Sequence, residues 1–260
     1  MSSYAFGDSQ VAADRLAVLA AVFKDTTSEL LSSIPSDNRR EVVDLGCGPG
    51  YTTLLLRDVL SPERLVGIDA APVFAREAAG RLGSSAAVVV ADVAALPAAV
   101  SGVGLMFARF LLTHLADPAA AVEHWLTRLA PDGLITLEEV ESITTNDPAF
   151  DEYLALQRLM LDANANRLET GPLIAQVARG CRASCNSDVV KLTPSPAAAA
   201  RRFAMNFTTW RDRPAVTDSV SLRELDAIGT GLLEIATGRR RSAPITWELR
   251  QAHRLPATES

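Results

Sequence analysis

Three carboxylates and three glycines set the chemistry open to this sequence. Asp44 stands just ahead of Gly46, Gly48 and Gly50 in EVVDLGCGPG, Asp69 closes the apolar run VGID, and Asp92 closes VVVAD. Alternating glycines let a backbone turn tightly and approach a ligand where side chains would collide, and the amides that open a helix behind such a turn can receive electron-rich ligand atoms. A carboxylate directly ahead of the turn repels a pyrophosphate and suits an ammonium group. Asp69 follows Gly46 by 23 residues, close to the spacing at which an acid ending the second strand receives a pair of ribose hydroxyls. Asp92 can accept from an exocyclic amine. A ligand with an amino-acid head, a ribose and an amino-purine fits all three. Each acid alone also serves as a helix cap, and the glycines alone as a structural turn.

Two other ligands fit worse. A dinucleotide turn spaced G-x-G-x-x-G requires glycine at position 51, where this sequence has the bulky Tyr51. A phosphate-binding P-loop requires a Lys-Ser/Thr pair after the turn, and none follows.

These residues need a scaffold that brings distant strand ends together. The sequence predicts an amphipathic helix over 14–31, a strand starting at Glu41, and a helix over 51–60 behind the turn. A second strand ends near Asp69, and Pro72 opens the next helix. A third strand ends at Asp92, a fourth spans 104–108, Pro118 starts another helix, and PDGLITLEEV reads as a turn and fifth strand. Apolar strands alternating with helices indicate βαβ units and a mostly parallel sheet, whose ligands sit beyond the strand C-termini. Asp44, Asp69, Asp92, Arg109 and Glu138 or Glu139 can therefore converge. Past residue 141 the alternation changes, with helices expected over 147–166, 172–178, 197–210 and 222–236, a short strand in SDVVKLTP and a final strand in PITWELRQAH.

The segments VVDLGCGPG, VGIDAAP, ADVAALP, ARFLLTHLADP and LAPDGLITLEE, in this order over residues 41–139, resemble the successive motifs of class I S-adenosylmethionine-dependent methyltransferases. YAFGDSQVAADRL and the helical tail ending in a strand resemble small-molecule members of that superfamily. The resemblance implies a Rossmann-like α/β sheet, mostly parallel with an antiparallel terminal strand, under a helical lid. It implies S-adenosyl-L-methionine as cofactor, with Asp44, Gly46, Cys47, Gly48 and Gly50 around its methionine portion and Asp69 with Ala70 at its ribose. Asp92 and Val93 would address the adenine, and Ala108, Arg109 and Phe110 would lie near the sulfonium. Tyr4 and Arg15 would help close the pocket. The acceptor would be a small organic molecule of bacterial secondary metabolism, such as an antibiotic precursor, methylated on O, N or C. One departure stands out: the strand before ARFLLTHL often starts with aspartate in the superfamily and here has Gly104.

Methyl transfer needs an electron-rich acceptor held in line with the S–CH3 bond, and an acidic acceptor must lose its proton. His114, after the fourth strand, is a candidate general base, with a capping role as the alternative. Glu138 and Glu139 are further catalytic candidates, of which strand alternation aims only one at the cleft. Tyr153, Arg158 and Phe207 are candidate acceptor contacts, as is Arg167, although packing and solvated helix faces explain them too. His124, beside Trp125, reads as structural, and His253 is ambiguous. Cys181 and Cys185 have helical spacing but no second ligand pair for zinc, so no metal is expected.

The chain has 260 residues, 48% hydrophobic and 22% charged, enough for one folded α/β domain with attached helices. The expected division is an N-terminal helical cap over 1–35, a cofactor-binding core over 36–142, an acceptor-side helical region over 143–243 that contributes a core strand near 187–193, and a terminal strand and tail over 244–260. A formal charge of -6 and the lack of a basic tract argue against a nucleic-acid partner. No signal-peptide pattern and no apolar run of roughly 20 residues appears, so the expectation is a cytoplasmic monomer or homodimer with no membrane partner. Two alternatives stay open: a cyclase that keeps the fold without methylating, and a noncatalytic cofactor-binding scaffold.

Overall fold

A computed structural model describes residues 10–180 and 187–256. Helices α1 (Gln10–Val22) and α2 (Lys24–Ser32) lead into strand β1 (Glu41–Leu45), followed by α3 (Tyr51–Leu60), β2 (Arg64–Asp69), α4 (Pro72–Leu82) and β3 (Ala87–Val90). Next come β4 (Val103–Arg109), α5 (Pro118–Leu126), β5 (Leu129–Thr145), α6 (Pro148–Asp162), α7 (Gly171–Gly180) and β6 (Ser187–Leu192). The chain continues through α8 (Pro196–Trp210), α9 (Pro214–Thr217) and α10 (Leu222–Ala236) to β7 (Ile245–Pro256).

The strands form one seven-stranded sheet in the order β3-β2-β1-β4-β5-β7-β6. Every pairing is parallel except those of β7, which runs against β5 and β6. The strand order reverses between β1 and β4, and ligands of open α/β sheets sit at such a switch point. Alternation along the strands feeds two separate cores. Val42, Leu105 and Phe107 pack with Leu30, Leu31 and Leu56 of α2 and α3, whereas Val43, Met106 and Ile135 pack with Trp125 and Ile174 of α5 and α7. A third core joins α1, α6, α8 and α10 to β7 through Phe150, Tyr153, Phe203, Phe207, Trp210 and Trp247.

Two local departures from the sequence reading have physical causes. The single helix expected over 14–31 breaks at Phe23, whose carbonyl receives the Thr26 hydroxyl (3.0 Å); such a bond competes with helix geometry. Strand β5 extends to Thr145 because β7 pairs with it as far as Thr145↔Ile245. Gly104 also has a use. A Cβ there would lie 3.1 Å from the Asn38 carbonyl oxygen, so the glycine admits the 36–39 turn against β4, where Asn38 Nδ2 donates to Asp132 O at 2.6 Å.

Asp147 caps α6 by accepting from the Ala149 amide (2.9 Å) and binds Arg240 Nη2 (2.6 Å), tying α6 to the segment ahead of β7. Asp147→Ala is expected to lower unfolding stability by about 1–3 kcal/mol. Denaturant melts with an unchanged midpoint would contradict this.

Candidate active site

The residues between β1 and α3 turn on three positive backbone angles, φ +67° at Gly46, +52° at Gly48 and +86° at Gly50. Side chains would also collide at two of them: a Cβ at Gly46 would fall 2.6 Å from a Leu111 methyl, and one at Gly50 would fall 3.1 Å from Ala78 Cα. Both the torsion and the close approach therefore require glycine. Arg81 of α4 braces the turn from outside, donating to Pro49 O and to Tyr51 Oη (3.0 Å) with its guanidinium 3.9 Å over the Tyr51 ring. Tyr51, which broke the dinucleotide spacing, thus packs outward onto a cation. The Cys47 thiol is buried, and burial raises its pKa.

Asp69 ends β2 beside this turn. Its Oδ2 accepts from the Gly48 amide and its Oδ1 from the Ala71 amide, both at 2.8 Å. Burial raises its pKa while these two amides oppose the shift, and Ala70 next to it is exposed. Asp44, 1% exposed at the end of β1, accepts from Thr53 Oγ1 at 2.6 Å. Burial lifts its pKa to about 7, against the pull of Thr53 and Arg109. Asp92 is exposed and caps the 93–95 turn through the Ala94 amide (2.9 Å), while Val93 is buried and its carbonyl receives Trp125 Nε1 (2.7 Å).

From β4, Ala108 is fully buried and Arg109 donates to Thr27 Oγ1 and to Thr52 Oγ1, each at 3.0 Å. Burial lowers the Arg109 pKa, and the charges of Glu138 and Asp44 counter this. Phe110 is held at φ +53°, an uncommon angle for a non-glycine residue, by its amide bond to Glu138 O (3.0 Å) and its edge contact with Phe23 (4.9 Å).

Glu138 and Glu139 point to different surroundings, as strand alternation requires, and both are engaged. Glu138 receives Thr27 Oγ1 (2.5 Å) and Gln251 Nε2 (2.6 Å). Glu139 receives the amides of Leu111 (2.7 Å) and Leu112 (2.9 Å) and Thr170 Oγ1 (2.9 Å). Burial raises both carboxyls, Glu139 to about 7.

His114 closes the 112–114 turn after β4. Burial first, then the Arg15 charge, pushes its imidazole down to about 3. Arg15 on α1 is itself buried, and its charge also acts on Tyr153. Tyr153 Oη accepts from Asn206 Nδ2 (2.6 Å), and its ring stacks 4.2 Å from Phe203. Burial pushes the phenol up to about 12 against the opposing charges of Arg202 and Arg15. The structure thus gathers Arg15, His114, Tyr153, Asn206 and Arg202 from four segments, and Leu16, next to Arg15 on α1, lies 3.7 Å from the position of a Gly48 Cβ.

Other candidates fall elsewhere. Arg158 pairs with Glu169 (2.7 Å), Arg167 is exposed, with its carbonyl receiving Thr113, and His124 lies at the end of α5. Phe207 is buried, yet it borders a groove of about 630 Å3 formed by α8 and α10 residues such as Met205, Gly229 and Leu233. Tyr4, Cys181, Cys185 and the His253 side chain lie outside the described residues. Among the described residues no three His, Cys, Asp or Glu side chains gather as a metal site, and no helix is long and apolar enough to cross a membrane.

Sequence reasoning missed Thr27, Thr52, Thr170 and Gln251. Gln251 was findable, since period-two alternation puts it on the face of Ile245, Trp247 and Leu249, all buried. The threonines carry no such signal, because each acts on a partner distant in sequence.

Residues 42–133 match the methyltransferase domain family. Trans-aconitate 2-methyltransferase of Escherichia coli is 34% identical over 110 residues, a match covering 42% of this chain and 43% of that protein, so less than half of the curated relative is represented. Among solved structures, phosphoethanolamine N-methyltransferase 2 of Haemonchus contortus with bound S-adenosyl-L-methionine shares the fold at TM-score 0.50 and 16% identity, covering 94% of this chain and 52% of that one. The [4+2]-cyclase SpnF shares it at TM-score 0.51 and 16% identity, covering 90% and 82%. The fold is that of the class I S-adenosylmethionine-dependent methyltransferases.

Proposed function

We infer that this chain, with its class I methyltransferase fold, binds S-adenosyl-L-methionine at the Gly46–Gly50 turn and transfers the methyl group to a small organic acceptor. The observation that carries this reading is the glycine turn locked to Asp69 through the Gly48 amide at the C-terminal ends of β1 and β2. The bound cofactor in the Haemonchus contortus enzyme and the domain match over 42–133 support it.

In the transfer, the acceptor lone pair forms a bond to the methyl carbon while the carbon–sulfur bond breaks. The electron pair returns to sulfur, which leaves S-adenosylhomocysteine. Holding the reacting atoms in line supplies much of the rate. An imidazole pushed down to about 3 stays neutral near pH 7 but takes a proton poorly. The Glu139 oxygens are already engaged with two amides and a hydroxyl. His114 therefore orients or packs the acceptor in this reading, Glu139 shapes the loop after β4, and the acceptor arrives with its nucleophilic pair free.

An anionic oxygen meets that requirement. Arg15 and Arg202 both favour charge on the Tyr153 oxygen, so this corner suits an acid, and the Escherichia coli relative is named for one, trans-aconitate. The test is incubation with trideuteromethyl S-adenosylmethionine and a panel of small carboxylic acids with their amides. Products carrying the labelled methyl, formed from acids in preference to amides, are expected. A converted product without the label would favour the cyclase alternative, for which SpnF supplies the shared fold alone.

A further inference from the structure

Helices α8 and α10 lie side by side and antiparallel. Arg211, just past the end of α8, donates to Asp226 near the start of α10 (2.6 Å), and Phe207, one turn back on α8, meets Gly229, one turn on along α10. Continuing that register puts Arg201 level with Ala236. The groove of about 630 Å3 runs between the two helices. Ala204, Gly229 and Ala236 hollow it out, Phe207 backs it, and Leu233 stands beside the hollow, 53% exposed. Leu222, 66% exposed, continues the same stripe, since positions 222, 226, 229, 230 and 233 follow helical spacing. Single exposed apolar residues are ordinary on a protein surface, but two leucines on one stripe with a hollow between them are half of a packing surface.

The two ends of the groove carry opposite charges. At one end two exposed carboxylates share one guanidinium, because Arg211 reaches both Asp226 (2.6 Å) and Asp212 (3.5 Å). At the other end Arg201 is exposed and has no ion-pair partner among the described residues. It lies ten residues before Arg211, about 15 Å along a helix. An occupant must therefore offer an acid and a base at that separation, with an apolar stretch between them. The same surface, turned by a two-fold axis, offers both, because such an axis sets each end against the opposite end of the copy. Knob and hollow obey the same axis. Gly229 and Leu233 are symmetric about position 231, and so are Asp226 and Ala236, beside which Arg201 stands.

We propose that this face of α8 and α10 is the interface of a homodimer, in which the helix pairs of two copies stack as a four-helix bundle about a two-fold axis. Leu233 of each copy enters the hollow at Gly229 of the other, and Arg201 of each meets Asp226 of the other. The interface backs onto a fixed part of the molecule, since Phe207 also packs edge-on against Tyr153 (6.3 Å) and Trp210 (5.1 Å).

Analytical ultracentrifugation of the full chain over a concentration series is the test, and the native protein should sediment at twice the chain mass. Leu233→Glu drives a charge into the hollow and should raise the dissociation constant at least about 30-fold. Gly229→Leu fills the hollow from within the same chain, where a Cβ meets the Phe207 ring at an ordinary 3.6 Å, so it should weaken the dimer similarly while the melting temperature holds. Arg201→Glu and Asp226→Arg should each weaken the dimer roughly 10-fold, and the double variant, which exchanges the charges across the axis, should recover part of the loss. A native protein that stays monomeric throughout the series overturns the proposal. So does a dimer that folded L233E and G229L leave intact, because that dimer forms elsewhere. A double variant no tighter than either single one overturns the pairing of Arg201 with Asp226.

Discussion

Replacing Asp69 by alanine is expected to weaken S-adenosylhomocysteine binding by at least roughly 100-fold, because two kinds of hydrogen bond to a charged group disappear together. Each Asp69 oxygen accepts one backbone amide, from Gly48 or Ala71, and each keeps a lone pair for one hydroxyl of a ribose diol. The alanine variant loses both diol contacts and releases the Gly48 amide that anchors the glycine turn. Asp69→Asn keeps the shape but only one acceptor oxygen, so an intermediate loss is expected. Calorimetry paired with a thermal melt reads the effect. Unchanged affinity in a folded D69A protein would remove Asp69 from the site.

Glu139→Ala should have the largest effect on stability, about 3–9 kcal/mol, because it strands three buried donors that each cost about 1–3 kcal/mol unsatisfied. Those donors are the Leu111 and Leu112 amides and the Thr170 hydroxyl. Against a total stability on the order of 5–15 kcal/mol, the loss brings the chain close to unfolding at ambient temperature. Glu139→Gln preserves the shape and makes the effect readable through pH. Burial lifts the native carboxyl from 4.5 to about 7, so the folded state holds its proton more tightly than the unfolded chain. The stabilisation linked to that proton is complete below the unfolded value and is lost as pH rises toward about 7. The native protein should therefore lose melting temperature relative to E139Q across that window. Asp44, lifted to about 7 by burial, remains in both proteins and cancels from the comparison. A difference that stays flat with pH would contradict the account.

The parts of this molecule written in local patterns were legible from the sequence. Apolar runs ending in Asp44 and Asp69 marked β1 and β2, and Pro72 and Pro118 opened α4 and α5. Partnerships formed across the sheet were not legible. Glu138 and Glu139 look alike in sequence, yet one meets Gln251, which lies 113 positions away, and the other meets amides of the loop after β4. His114 looked like a base poised near neutrality, and only its surroundings show it pushed down to about 3. The aromatic residues spread over 150–210 give no hint in order alone that Tyr153 stacks on Phe203 and meets Trp210 in one aromatic cluster.

The glycine turn itself poses the sharpest question, since its first residues suit either a dinucleotide or an amino-acid-bearing nucleoside, and Tyr51 together with Asp44 decides between them. Calorimetric titration of the native protein with S-adenosylmethionine, S-adenosylhomocysteine and NADH puts that decision to measurement. Saturable binding of the first two, with no heat from the dinucleotide, is the expected result. Binding of NADH without binding of either sulfur nucleoside would contradict the account at its base.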